Sequence, residues 1–563
     1  MRVTMGTYVT YEELNNGTPS TIDAFRQLLC RYQRSKVLYL CGLINCVTRK
    51  WHGAVDKRAH DDLASIAFRP ALLNHLAAHP ESPKRILFHR LQTMFVAKEI
   101  TLYGTEDGID PLTTPHWGGL GEAFIMANDH LRLELEETNR TLRILTENLS
   151  VNEYSFPCDL RAVLARANLA LTQFMPQPSE LNIRDLFQQA SGFTLDQFRV
   201  MCVGLICQYF PLDGEVYKKD KSQFLIGQDF FRSTAIAQET VNMFLKDMSA
   251  AAEDLKSVYQ KRNHGPLDFT PFRDKPLVKI DQTYFPIDIK FLVEKFEAGV
   301  FWKINGSVDR RTRSSLHSAW GKGFESYSNW LLAHSTDGTI NVLHKTPTYE
   351  DNNDQVTDAI IVCGHKAIFI ECKIAMMRAE IKYGGSPTDL TEEIYKKFVE
   401  SNERPQGIKQ LAVAINTVFS KERSRLIEGI DLSKIRMVYP VLLTRDSIGG
   451  SIGLSKYLRQ FFKPLVNEKL VSIDVGPLFC LSIDQMEEIA DVLQSTSLAE
   501  LLYGWWRNDR TLGTNFLMAS GSGNRKQSRK LPDALTQALD DLFNESMTYF
   551  PEVAGAGVQT EIN

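Results

Sequence analysis

The chain has 563 residues, of which 43% are hydrophobic and 23% are charged, and its formal net charge is -4. This length exceeds what one hydrophobic core ordinarily supports, so about three structural units are expected. No apolar run approaches the ~18 residues of a transmembrane helix, so no association with a membrane is expected. The N-terminus lacks a secretory leader, which predicts a cytoplasmic protein. The charge excludes a globally basic nucleic-acid binder, but it leaves room for one basic face.

The nine cysteines are scattered along the chain, and no Cys-x-x-Cys pair occurs. Several of them lie in apolar segments with helical spacing. This usage predicts buried, reduced thiols rather than disulfides or a structural zinc site.

Residues 1–265 are predicted to be mostly helical, because their apolar residues recur three and four positions apart. A break at Ser191–Gly192 divides one long apolar stretch into two helices. We expect this region to serve in sensing, regulation or oligomerisation, through a protein partner or a second copy of the chain.

The later text divides into three further segments. Residues 266–313 are predicted to form a hairpin and a helix that connect the two halves. Residues 314–518 alternate helical and extended segments, which indicates an α/β domain with a C-terminal extension. Residues 519–563 comprise a basic linker from Ser520 to Lys530, a short amphipathic helix and a tail.

A hairpin is predicted between Val356 and Lys373, where two β-branched, apolar runs flank Gly364–His365. A two-residue loop with glycine first suits a type II′ turn. This turn would place Cys363 opposite Lys366 and so fix the pairing of every residue farther along the two strands.

Three charged residues meet at the open end of this predicted hairpin. Counting outward from the turn places Asp358 directly opposite Glu371, with Cβ atoms roughly 4.5–5.5 Å apart. Glu371 and Lys373 then share one face of their strand. Two facing carboxylates are destabilising unless something neutralises them, and a divalent cation would do so. The alternative is an ordinary hairpin with a Lys–carboxylate pair at its end.

Two neighbouring helices each carry a further candidate. The helix before the hairpin places Glu325 at the edge of an apolar stripe, one turn after Gly321, where the missing side chain would admit another backbone. The helix that starts near Pro405 places Gln410 beside its apolar stripe. Either side chain would reach the charged end of the hairpin, or it would be a solvated surface residue.

Taken in order, Glu325, TDAIIV, FIECK and a helix bearing KQL resemble the PD-(D/E)xK nuclease superfamily, which has the restriction-endonuclease-like fold. GKGFESYSNWLL and RPQGIKQLAVAI are similar to its two core helices, and IRMVYPVLLT (Ile435 to Thr444) is similar to a later core strand. The resemblance covers residues 302–444, about a quarter of the chain. One departure is visible, because Thr357 stands where the family name places a proline. The resemblance implies a multidomain protein, with a mostly α-helical N-terminal region and an α/β restriction-endonuclease-like domain around a mixed central sheet.

The same resemblance implies a role for each candidate residue. Asp358, Glu371 and the Cys372 backbone carbonyl would bind Mg²⁺ or Mn²⁺, and Lys373 would be the base that orients the attacking water. Glu325 would match the helical glutamate of the family and add to the metal site. Gln410 would match its helical glutamine.

A basic stretch precedes and enters the first core helix, and it offers candidates for phosphate contacts. These are Lys303, Arg310, Arg311, Arg313 and Lys322. A solvated basic turn explains the same residues without a nucleic acid.

These observations predict a Mg²⁺-dependent nuclease that hydrolyses phosphodiester bonds of DNA, with RNA the less favoured substrate. By analogy of architecture, such a layout suits bacterial antiviral defence or restriction. One alternative is a catalytically silent nuclease-like protein that binds nucleic acid or serves as a scaffold. Another is a helical partner-binding protein with an incidental hairpin.

Overall fold

The computed structural model of the chain describes residues 7–48, 56–77, 85–131, 145, 159–175, 181–209, 224–262, 264–374, 376–384, 386–420, 425–451, 453–466, 473–508 and 531–549. The predicted basic linker, 520–530, and the tail from 550 onward lie outside these ranges. In the part that is described, no helix combines the length and the apolar character needed to cross a membrane.

The described residues up to 265 are mostly helical, as their spacing predicted. The predicted break is confirmed, because one helix ends at Ser191 and Gly192 follows with a φ of +86°. The helices of this region are α1 (Tyr11–Leu14), α2 (Ile22–Leu29), α3 (Arg34–Val47), α4 (Lys57–Ala67), α5 (Pro70–Ala77), α6 (Arg90–Tyr103), α7 (Leu120–Ala127), α8 (Leu160–Thr172), α9 (Ile183–Ser191), α10 (Leu195–Tyr209), α11 (Gln238–Met248) and α12 (Ala252–Lys261). Its short strands are β1 (Thr7–Tyr8), β2 (Arg85–Ile86), β3 (Ile226–Gly227) and β4 (Ser249–Ala251).

The segment after residue 265 contains the predicted hairpin and helix. A short helix, α13 (Thr270–Asp274), precedes β5 (Leu277–Ile280) and β6 (Thr283–Pro286), which pair antiparallel. Together with β3 and β4 they form a four-stranded sheet in the order β3-β6-β5-β4. Two long helices follow, α14 (Ile289–Ser307) and α15 (Arg310–Thr336), and each begins at an aspartate whose carboxylate accepts two backbone N–H groups.

A mixed sheet forms the centre of the second half. Its strands are β7 (Val342–Lys345), β8 (Ala359–Cys363), β9 (Lys366–Lys373), β12 (Met437–Thr444), β13 (Asp474–Val475) and β14 (Phe479–Ser482). β7, β8 and β9 pair antiparallel in turn, whereas β12 runs parallel to β9 and pairs in parallel with both β13 and β14. A separate two-stranded hairpin comprises β10 (Glu400–Ser401) and β11 (Arg404–Pro405). The helices that follow α15 in this half of the chain are α16 (Ala379–Gly384), α17 (Pro387–Phe398), α18 (Gly407–Val418), α19 (Leu454–Phe462), α20 (Ile483–Ile489), α21 (Leu498–Asn508) and α22 (Asp533–Met547).

Alternate residues of the sheet strands enter two different hydrophobic cores, as the period of two requires. Ile361 and Ile370 face a large core that continues through α15 into the helical N-terminal region. Ile360 and Phe369 face a second core, which is built largely with α17, α18 and α19. The sheet is therefore covered by helices on both faces, and one of those layers is continuous with the first half of the chain.

The close backbone approach on α15 occurs at a different glycine from the one that the sequence indicated. A Cβ added at Gly321 would meet no atom within 4 Å, so the expectation of a close backbone approach there is wrong. The close approach occurs at Gly323, where a Cβ would lie 3.0 Å from the carbonyl oxygen of Phe174. Gly321 and Gly323 are two positions apart and so lie on different sides of the helix, which means that the backbone approach is not on the side that the sequence indicated.

Candidate active site

The hairpin of β8 and β9 has the register that its two-residue turn predicted. Gly364 has a φ of +59° and His365 has no positive φ, as a type II′ turn requires. Cys363 pairs with Lys366, and Ala359 pairs with Ile370. Because β9 is three residues longer than its partner, its last residues extend beyond the end of β8.

Asp358 lies just before β8 and directs its carboxylate across to β9. One carboxylate oxygen accepts the backbone N–H of Cys372 at 2.7 Å, and the other accepts the side-chain amide of Gln355 at 2.8 Å. The residue is 6% exposed. Burial raises the pKa of Asp358, and the Cys372 N–H and the Lys373 charge work against that rise.

Glu371 is buried in the middle of the site and contacts Lys373. Its Oε1 lies 2.9 Å from the Lys373 ammonium, and its Oε2 lies 3.3 Å from the hydroxyl of Thr357. Burial raises the pKa of Glu371 to about 7, although Lys373 opposes the rise; the charge of Asp358 adds to it. A single lysine therefore does not compensate the carboxylates around it.

Glu325 reaches the same group of charges from α15. Burial raises the pKa of Glu325 to about 7, the charge of Asp358 raises it further, and Lys373 and the exposed Lys322 lower it. The half-buried Glu325 is thus not an independent, fully solvated side chain. The structure brings together four charged residues: Glu325 on α15, Asp358 just before β8, and Glu371 and Lys373 on β9.

Lys373 is the cation of this cluster. Burial works to lower the pKa of Lys373, but the carboxylates of Glu371, Asp358 and Glu325 outweigh burial and raise it. The ammonium therefore keeps its proton at neutral pH. A protonated lysine orients a water or stabilises negative charge, and the role of water-orienting base that the resemblance implies for Lys373 stays a prediction.

The backbone of Cys372 faces the same edge of β9 as Asp358. Its N–H donates to Asp358, and in a strand the N–H and C=O of one residue point to the same side. The first residue of β8, Ala359, pairs with Ile370, so no residue of β8 pairs with Cys372. The Cys372 carbonyl thus belongs to the same edge as the carboxylates.

Gln410 lies on α18, which packs against β9. One turn earlier on the same face, a Cβ added at Gly407 would lie 3.6 Å from Cγ of Lys373. The Oε1 atom of Gln410 is buried and has no hydrogen-bond partner among the described residues. An unsatisfied buried acceptor is costly, so a bound water or substrate group beside this oxygen would stabilise it.

The predicted basic residues fall into two groups. Arg310, Arg311 and Lys322 are exposed on α15. The guanidinium of Arg313, although exposed, donates to the backbone carbonyls of Asn305 and Val308 at 3.0 and 3.2 Å, and thereby caps the end of α14. Lys303 forms an ion pair with Asp247. The last two are engaged in the fold, which corrects the expectation that they are available for phosphate contacts.

Three polar residues that the sequence pattern did not identify support the carboxylates. Gln355 donates to the Asp358 side chain, Thr357 donates its hydroxyl to the Ile370 carbonyl at 2.7 Å, and Asn329 donates to the Asp358 carbonyl at 3.3 Å. Asn329 follows Glu325 by one helical turn, a spacing visible in the sequence. No spacing rule singled out Gln355.

The oxygen atoms of the site are those that a divalent cation would use as ligands. Among the described residues, no three His, Cys, Asp or Glu side chains are close enough to form a ready-made coordination shell. Asp358 and Glu371 keep lone pairs beyond the hydrogen bonds they accept, and the Cys372 carbonyl adds a third oxygen. Mg²⁺ commonly retains several waters and takes only one or two protein carboxylates, so this incomplete oxygen set fits it.

Comparisons with family models, with curated proteins and with solved structures find no match to this chain.

Proposed function

We propose that the chain is a metal-dependent nuclease that hydrolyses phosphodiester bonds of DNA, with the site at Glu325, Asp358, Glu371 and Lys373. The observation that carries the proposal is the charge of this cluster. Three carboxylates surround one lysine, and burial raises the pKa of both glutamates to about 7. A divalent cation supplies the two positive charges that the cluster lacks.

Each residue has a role that follows from its contacts. Asp358, Glu371 and the Cys372 carbonyl would hold Mg²⁺ or Mn²⁺, and Glu325 would bind it directly or through a water. When bound, such an ion lowers the pKa of a water and stabilises charge on the phosphate. The protonated Lys373 would orient the attacking water and stabilise the developing negative charge. Gln410 would orient the water by accepting a hydrogen bond from it at its unsatisfied Oε1.

Two further features support this assignment over a purely structural hairpin. The carboxylate of Asp358 is held by hydrogen bonds from Gln355 and Cys372, and supporting contacts of this kind orient metal ligands. The exposed Arg310, Arg311 and Lys322 lie on the same helix as Glu325, where they would contact phosphates.

The direct test is cleavage of supercoiled plasmid, linear duplex and single-stranded DNA with Mg²⁺ or Mn²⁺. Wild type should cleave, whereas Asp358→Ala and Lys373→Ala should lose activity, the latter by about 10²–10³-fold, as when one transition-state donor is removed. Asp337→Ala and Lys366→Ala are matched controls. Asp337 is exposed at the end of α15, and Lys366 begins the strand that Lys373 ends.

The result assigns the function in either direction. Loss in the two site variants, with activity kept in the controls, would establish a nuclease, and the substrate preference would define its class. Salt-dependent binding by a folded wild type that does not cleave would instead indicate a silent nucleic-acid-binding protein.

A further inference from the structure

A small hairpin beside the candidate site contains an unfavourable turn. β10 and β11 are joined by Asn402 and Glu403, whose φ angles are +49° and +64°. Two successive positive φ angles define a type I′ turn, which favours asparagine first and glycine second. Glutamate in the second position has a Cβ that disfavours this conformation. The turn therefore keeps a charged side chain where glycine would be more stable.

The base of this hairpin adjoins Lys373. The N–H of Gln406 donates to the carbonyl of Val399 at 2.9 Å and closes the hairpin. The next residue, Gly407, is the one whose added Cβ would lie 3.6 Å from Cγ of Lys373. An ion pair between Lys409 and Glu400 ties the hairpin to α18. With a rise of about 3.3 Å per residue, the tip extends roughly 10 Å beyond the base.

The segment that precedes the hairpin approaches α15. Burial lowers the pKa of His317 on α15, and the nearby charges of Arg313 and of Lys397, which lies near the end of α17 just before β10, lower it further. His317 lies two helical turns before Glu325. The segment that leads into the hairpin therefore lies near α15, the helix that carries Glu325 and the exposed Arg310, Arg311 and Lys322.

The tip of the hairpin presents three exposed polar side chains in succession, Asn402, Glu403 and Arg404. Within the described part of the chain, none of the three makes a side-chain hydrogen bond or an ion pair. Asparagine pairs with adenine, glutamate accepts from cytosine and arginine pairs with guanine in the major groove of DNA. A two-stranded β-ribbon is also narrow enough to enter that groove.

We propose that the β10–β11 hairpin recognises base edges in the major groove of duplex DNA, with Asn402, Glu403 and Arg404 as the specificity-determining residues. The inference rests on the proposed function, because that function places a DNA duplex over the carboxylates. The reach of the tip corresponds to about three base pairs at 3.4 Å each, so the recognised bases lie close to the cleaved bond. The acidic Glu403 suits a base contact and disfavours a phosphate contact.

The test is a binding selection from a pool of randomised duplex DNA, carried out in EDTA so that wild type binds without cleaving. Wild type should enrich a short sequence. Arg404→Ala should relax the preference at one base pair by about 5- to 150-fold, the range of a bidentate contact. Glu403→Gly relaxes the backbone of the turn, so it should keep the fold and lose preference at a different base pair. Arg232→Ala, at an exposed arginine of the helical region, is the matched control.

The outcomes separate this proposal from the proposed function. No enriched sequence, or the same sequence in all four proteins, would overturn recognition by the hairpin even if Mg²⁺-dependent cleavage is observed. An enriched sequence that changes in Arg404→Ala and Glu403→Gly would support it even if the protein fails to cleave. In that case the nuclease proposal fails and base recognition remains.

Discussion

The candidate site and a second buried cluster of charged side chains differ in how their charges are compensated. The Arg166 cluster comprises Arg166, Glu297, Arg445, Asp484 and Glu487. In the candidate site, three carboxylates surround one lysine. The two are adjacent, because the backbone N–H of Arg445 donates to the carbonyl of Lys373 at 3.1 Å.

The Arg166 cluster satisfies most of its charges internally. Arg166 contacts Glu297 at 2.8 Å, Glu487 at 2.6 Å and Asp484 at 3.1 Å, and Arg445 lies 3.6 Å from Glu297. Two arginines face three carboxylates, which leaves one negative charge. Burial raises the pKa of Glu487 to about 7 even though Arg166 opposes the rise, so one proton makes the cluster neutral.

The candidate site lacks two positive charges rather than one. Glu325, Asp358 and Glu371 carry three negative charges, and Lys373 carries one positive charge. Neutrality without a metal would require protonation of both glutamates, whereas one divalent cation would give it with both ionised. Burial of charged side chains alone therefore does not indicate a functional site. The candidate site differs from the Arg166 cluster in its larger unbalanced charge and in its free oxygen ligands.

The largest expected effect is the loss of stability when the Arg166 cluster is broken. Arg166→Met should lower the free energy of unfolding by about 3–5 kcal/mol, because it leaves buried carboxylates without their partner. Mg²⁺ should not restore it. Lys373→Met should also destabilise the metal-free protein, but Mg²⁺ should restore its stability. Urea denaturation of both variants with and without Mg²⁺ measures these changes. If Mg²⁺ restored the stability of Arg166→Met, the proposed difference between the two clusters would be wrong.

A second effect is the dependence of the melting temperature on pH. The pKa values of Glu325 and Glu371 are raised to about 7 from the ordinary 4.5, so the fold favours the protonated carboxyls. Without metal, the stabilisation is fully present below pH 4.5 and is lost as the pH rises through 7. Mg²⁺ should therefore raise the melting temperature more at pH 8 than at pH 5. Thermal scans of Glu371→Gln check this: an equal Mg²⁺ effect in wild type and variant would refute it.

A smaller effect is expected from the residue that supports Asp358. Gln355→Ala removes the amide that donates to the Asp358 carboxylate, so metal affinity or cleavage rate should fall by about 10- to 100-fold. Gln282→Ala is a suitable control, because its exposed amide contacts only another glutamine in the helical half. Titration with Mn²⁺ would show whether the loss lies in metal binding, and unchanged affinity and rate would mean that Gln355 has no supporting role.

The smallest effect on stability is expected at Gln410. Gln410→Leu removes an unsatisfied buried oxygen and keeps the size of the side chain, so the free energy of unfolding should stay within about 1 kcal/mol or increase. Cleavage should nevertheless fall, because the side-chain oxygen would no longer accept a hydrogen bond from the attacking water. Denaturation and single-turnover cleavage of the same preparation separate the two. A marked loss of stability would show that the amide has a structural role instead.

Local rules predicted the elements and part of the site. A two-residue turn at Gly364 fixed the register of β8 and β9, and therefore the proximity of Asp358 to the end of β9. The break after Ser191 and the helix at Asp533–Met547 followed from periodicity in the same way. In each case the information lies within a few residues, where backbone geometry allows few alternatives.

Long-range partners were not accessible by such rules. Arg166 contacts a glutamate 131 residues away and another 321 residues away, and Asn168 donates to the backbone of α22 at Ala538. The sequence shows only that these positions lie on a packed helix, because periodicity defines a face and does not name its partner. The support of Asp358 by Gln355 is local, but it was not predicted because the segment before β8 follows neither the helical nor the strand period.

The most direct test of the central claim is calorimetric titration of the metal-free protein with Mn²⁺ at pH 8. Wild type should bind Mn²⁺ saturably at the candidate site, and Glu371→Gln should lose that binding. Glu487→Gln, which alters a buried glutamate of the Arg166 cluster with the same raised pKa, should keep it. No saturable binding by wild type, or equal binding by wild type and Glu371→Gln, would contradict the account.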